Sequence, residues 1–110
     1  MSTYQPIRAL RGTQLSSKGW HQEAAETLQT ASLLPMKAAE EAAGLLKLLR
    51  KLEPVSNPNL KSDLQTALAM ARAAIDGALA NVGINLQSIK DEAFTAALSS
   101  RMKDVKTSLV

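Results

Sequence analysis

Between Leu64 and Val82 the apolar residues Leu64, Leu68, Ala71, Ile75, Ala78 and Val82 recur in alternating steps of four and three. On an α-helix that spacing lines all of them along one seam, whereas on a strand it would scatter them over both faces. No stretch of the chain offers a strand-like alternation of useful length. The pattern therefore commits the chain to an all-α fold. Beside the seam runs a second, smaller stripe of Ala67, Ala74, Gly77, Asn81 and Asn85. It leaves little bulk, so either another backbone approaches closely there or a ligand lies in a groove.

Two further segments repeat the helical period. From Trp20 to Leu34 the residues Ala24, Ala25, Leu28, Ala31 and Leu34 are spaced for one face, and after Pro35 the series Ala38, Ala42, Leu45, Leu49 and Leu52 resumes it. Proline has no amide hydrogen and disfavours helical geometry before it, so Pro35 is expected to kink this helix or divide it. Glu53-Pro54 stops the pattern, and Val55 to Asn59 has the composition of an interhelical loop. Ser62 with Gln65 fits a capping box for the next helix, Gly83 loosens its end, and Ser88 with Asp91 offers a cap for the last. There Phe94, Leu98, Met102, Val105 and Leu109 form the apolar face.

Bulk is scarce in this pattern. Tyr4, Trp20 and Phe94 are the only aromatics, so a core built from these alanine-rich faces is thin. Thin faces gain enough burial by packing against several neighbours, and copies of the same chain can supply them. The expected architecture is an antiparallel bundle of three to four helices over residues 20–110, completed by oligomerisation. An extended arm over residues 1–19 precedes it, carrying Arg8, Arg11 and Lys18 and no acid.

Composition removes several classes of function. There is no cysteine for disulfides or thiolate chemistry, and the single His21 cannot build a histidine-rich metal site. The net charge of +3 is confined to the leader and lacks interleaved aromatics, which argues against a nucleic-acid partner. No secretory leader and no uncharged membrane-length stretch is evident, so a cytoplasmic protein without a membrane partner is expected. Asp63 falls in a helix's first turn, where the dipole accounts for it, and Asp76 reads as a solvated face residue. No nucleophile has a base at recognisable spacing, so no catalytic residue is assigned. The amides are the stronger candidates. Asn57 and Asn59 sit in a loop while Asn81 and Asn85 share a helical face, and folding can bring both pairs to one groove, where each both donates and accepts.

Three motifs appear in order: Asn57-Pro58-Asn59-Leu60-Lys61-Ser62-Asp63, then Gly77-Ala78-Leu79-Ala80-Asn81-Val82-Gly83-Ile84-Asn85-Leu86, then Ile89-Lys90-Asp91-Glu92-Ala93-Phe94. Together with the stretch Glu23 to Leu46, they resemble the later part of the cyclodeaminase domain of the formiminotransferase-cyclodeaminase family. That resemblance implies an all-helical, dimer-forming cytoplasmic domain acting on tetrahydrofolate derivatives in histidine degradation or one-carbon metabolism. The activity would be elimination of ammonia from the formimino form, or hydrolysis of the methenyl form in relatives. On this basis Asn57, Asn59, Ser62, Asp63, Asn81 and Asn85 are candidate folate-binding residues, with no cofactor and no metal beyond that ligand. Members often carry arginine where Gly83 stands. The family's opening helices have no counterpart, so a partial domain is expected, and a non-catalytic oligomerisation or regulatory module is the alternative. A shorter segment, Pro6 to Trp20, is similar to the start of urocanase, without that family's glycine-rich NAD-binding region.

Overall fold

The computed structural model of the chain describes residues 17–109. The expected arm therefore lies largely outside the described residues, as do most of the urocanase-like segment and the Trp20 side chain. Where the arm was expected to run on to residue 19, the chain is helical from Ser17.

Helix α1 spans Ser17–Leu52 without interruption, and Pro35 lies inside it. The expected division is absent. A proline in a helix interior removes one backbone hydrogen bond, at a cost of about 3 kcal/mol or more. The burial of Ser32, Met36 and Ala39 on either side of it opposes that cost, since both halves of the helix are packed. Two short 3₁₀ turns, Glu53–Val55 and Pro58–Leu60, reverse the chain into α2, Lys61–Leu86, and a turn at Gln87–Ile89 leads to α3, Glu92–Ser108.

The caps differ from those expected. Ser62 lies inside α2 and makes no cap; its carbonyl instead accepts from Thr66 Oγ1 at 3.0 Å. The chain entry is held one turn earlier, where Asn57 Oδ1 accepts from the Asn59 amide at 2.9 Å and closes the 3₁₀ turn. At α3 the cap is Asp91, not Ser88, and its carboxylate accepts from the Phe94 amide at 3.1 Å. α2 also runs past Gly83 to Leu86, since glycine weakens a helix without ending one that is packed on a neighbour.

Contacts between α1 and α3 fix the direction of the helices. Gln29 meets Asp91 at 3.5 Å, Glu40 takes a bidentate pair from Arg101 at 2.6 and 2.9 Å, and Arg50 Nη1 donates to the Leu109 carbonyl at 2.9 Å. Numbers rise together along both helices, so α1 and α3 are parallel and α2 runs antiparallel between the same ends.

α2 and α3 bury the faces expected of them: Ala71, Ile75 and Val82 from the seam, and Leu98, Val105 and Leu109 from the last helix, with Leu64, Leu68, Ala78, Phe94 and Met102 half-buried. α1 does so only in part. Its core line is Ser32, Met36, Ala39, Ala43 and Leu46; of the expected face, Leu28, Ala42 and Leu49 are half-buried, Ala42 and Leu49 against the core, while Ala38 is exposed, Leu45 is 50% exposed and Leu52 43% exposed. The helix carries two apolar stripes of equal period, and periodicity alone does not say which one meets α2. The resulting Cα envelope is a slab of 62 × 30 × 15 Å. α3 lies on one broad side of the α1–α2 pair, where Ala43 and Lys47 of α1 line one groove with Asp104 and Val105, and Leu79 and Gly83 of α2 line another with Met102 and Lys106.

Candidate functional site

The six candidate residues separate into two groups. Asn57, Asn59, Ser62 and Asp63 stand at the start of α2, all exposed; Asn81 (exposed) and Asn85 (half-buried) stand near its end. Asp63 and Asn81 lie on one unbroken helix, so about 27 Å of axis separates them at 1.5 Å per residue. Folding of one copy does not bring the loop amides and the helix amides to one groove.

At the first end, the two 3₁₀ turns create a recess of about 670 Å³ lined by Glu53, Pro54, Ser56, Asn57, Pro58, Lys61 and Leu64. Its shape follows from local chemistry. Pro54 is second in the first turn and Pro58 starts the second, Ser56 Oγ donates to the Leu52 carbonyl at 2.6 Å, and the Leu60 amide donates to the Asn57 carbonyl at 2.8 Å. Asn57 spends its side-chain oxygen on the turn, which leaves its amide nitrogen as a donor toward the recess. Lys61, absent from the sequence candidates, supplies the cation beside it. Only its position within the Asn-Pro-Asn-Leu-Lys motif signalled it.

At the other end, the backbone carbonyl of Asn85 accepts from the Ser88 amide at 3.1 Å as α2 closes. A second recess of about 450 Å³ lies near this end, lined by residues that include His21, Leu28, Gln29, Ile89, Lys90 and Asp91. Among the described residues no cluster of three His, Asp or Glu side chains is placed to hold a metal ion. Asp76 is exposed and pairs with Arg72 at 3.8 Å, as a solvated face residue would.

The clearest electrostatic perturbation lies away from both ends. Arg101 donates through Nε and Nη2 to both Glu40 oxygens, and these hydrogen bonds hold the Glu40 carboxyl below the usual glutamate range against the opposing pull of burial. The same contact raises Arg101. This pair fastens α3 to α1 and faces neither recess. The sequence gives no sign of this pair, because a partner so far along the chain leaves no periodic trace.

The family profile described as formiminotransferase-cyclodeaminase matches residues 4–104. Among curated proteins, the formimidoyltransferase-cyclodeaminase of Sus scrofa is 36% identical over 86 residues, covering 74% of this chain and 16% of the relative. That of Gallus gallus is 40% identical over 72 residues, covering 66% of this chain and 13% of the relative. The Rattus norvegicus protein is 34% identical over 86 residues, with 74% and 16% covered. The chain thus spans under a fifth of the length of the curated relatives it matches. No solved structure matches it.

Proposed function

This chain belongs to the formiminotransferase-cyclodeaminase family, and from that premise we propose that it is a self-associating, cyclodeaminase-type helical domain that binds a tetrahydrofolate derivative. Its setting is the cytoplasm, in histidine degradation or one-carbon metabolism. The observation that supports the reading is the recess at the start of α2, which both Asn57 and Lys61 line. A pterin presents alternating donors and acceptors that an amide can match on either side, and the anionic tail of a folate suits a neighbouring ammonium. Asn59, Ser62 and Asp63 extend the polar rim, and Asn81 and Asn85 supply a second amide pair.

Isothermal calorimetry with tetrahydrofolate and its methenyl form tests the reading. Saturable heat that is lost in Asn57→Ala and weakened in Lys61→Ala is expected. Absence of heat at millimolar ligand, with the protein folded, ends the folate claim.

A second reading is favoured by a different observation: the broad side of the α1–α2 pair opposite α3 is apolar and uncovered, as a non-catalytic oligomerisation or regulatory module requires. Stoichiometric recovery of a pathway enzyme in a pull-down from the source cell supports docking. Turnover of a formimino- or methenyl-folate by the purified chain alone defeats it.

A further inference from the structure

The three helices are not equally fastened. α1 and α2 run against each other at close range, whereas α3 comes near the α1 backbone at far fewer places and near the α2 backbone at fewer still. Grooves flank α3 on both sides, one of about 220 Å³ between it and α1 and one of about 710 Å³ between it and α2. A glycine lines each. At Gly44, beside the first, an added Cβ would meet nothing within 4 Å, and at Gly83, beside the second, it would meet only the tip of Met102, at 3.9 Å. Protein interiors are normally filled as densely as organic crystals, and a gap along a helix forfeits the dispersion contacts on that side. α3 therefore rests on its neighbours without being wedged between them.

Few groups hold it there. Leu98, Val105 and Leu109 are buried, and polar contacts tie α3 to α1 at its start, middle and end. The first, Gln29 to Asp91, is long at 3.5 Å; the last is Arg50 to the Leu109 carbonyl. The middle one, Arg101 to Glu40, is both charged and bidentate. The helix gains little from its own sequence. Its 17 residues include Thr95, Ser99, Ser100, Val105 and Thr107, all weak helix formers, so the segment is marginal in water once it leaves its neighbours. Undocking and melting are then one event.

We propose that α3 is a clasp, which detaches and unfolds as a unit while α1 and α2 stay paired. The Glu40–Arg101 pair is its latch and the turn after Leu86 its hinge. Closed, it covers the broad side of the pair on which Ala43 and Leu79 lie buried. Open, it leaves neither broad side covered, because the side opposite α3 is already bare. The clasp thus sets whether the α1–α2 pair shows one apolar face or two. It does not rest on the folate reading, whose recess stands at the other end of α2 from the hinge.

Amide hydrogen exchange on the full chain, resolved by residue and repeated at low denaturant concentrations, tests the clasp. The amides of Leu98, Met102 and Val105 are expected to exchange through an opening about tenfold or more populated than the one that exposes Met36 and Ile75. Its denaturant dependence should also be weaker, since less surface is uncovered. Leu68→Ala separates a local opening from a global one. Leu68 packs on the core one turn before Arg72, which shares a groove with Leu109 at the end of α3, so its loss weakens the α1–α2 pairing whether the clasp is closed or open. Exchange at Met36 and Ile75 should rise about tenfold or more while that of α3 stays as it was. Arg101→Met removes the latch and keeps an aliphatic stem, and should raise α3 exchange about two- to fivefold, the weight of a half-exposed ion pair.

α3 amides that match Ile75 in rate and denaturant dependence, or that accelerate with it in Leu68→Ala, overturn the inference, because α3 then opens only with the whole molecule. Unchanged α3 exchange in Arg101→Met overturns the latch. The wild-type comparison needs no variant, so a substituted chain that fails to fold leaves the test intact.

Discussion

Glu40 and Arg101 join helices whose sequence positions are far apart, and both oxygens of the carboxylate are engaged. Since the Glu40 carboxyl is held low in the folded state, its contribution is present above the ordinary glutamate range and is lost as pH falls through the lowered value. The side chains are 36% and 38% exposed, so solvent screening keeps the contribution to about 0.5–1 kcal/mol. Glu40→Gln should lose that amount at neutral pH and flatten the acid limb of a denaturant-measured stability profile between pH 5 and 3, a range typical of carboxylates. Asp91 is a simpler case. Its carboxylate caps α3 through the Phe94 amide, and Asp91→Ala should cost about 1 kcal/mol in the same measurement. Both residues were readable only in part. Asp91 was expected in a cap with Ser88, yet the carboxylate alone reaches the amide, because Ser88 is already drawn into the turn that closes α2.

Among the elements, α1 separates what periodicity tells from what it leaves open. The helical period is plain in the sequence on both sides of Pro35, and the existence, order and class of all three helices follow from spacing alone. The side of α1 that faces inward does not, since Met36, Ala39, Ala43 and Leu46 make one stripe while Leu34, Leu45, Leu48 and Leu52 stand on the opposite side. The pairing with α2 chooses between them, and that choice is a long-range fact. Leu46→Ala should therefore destabilise the fold by about 2–5 kcal/mol in chemical denaturation. Leu45→Ala, at a position 50% exposed, should leave folding within about 1 kcal/mol of the parent. Gly44 sits within α1 with open space around an added Cβ, so Gly44→Ala should stabilise the helix by about 0.5–1 kcal/mol, seen as a higher melting temperature.

At the scale of the whole molecule, a thin slab fully buries few large apolar side chains among the described residues: Met36, Leu46, Ile75, Val82 and Leu98. The burial of each contributes about 1.5–3 kcal/mol at most, a modest sum against the ordering of three helices. The uncovered α1–α2 side is where more burial is to be had, which ties stability to association. The scarcity of aromatics made a thin core legible in the sequence. The division of the six candidate residues between two ends was not, because motif order carries no distance. Light scattering after size-exclusion chromatography, run across a hundredfold range of concentration, tests this account most directly. A species near twice the 11.7 kDa chain, persisting on dilution while the helices remain folded, is predicted. A single-chain mass at every concentration, with cooperative melting, would contradict it.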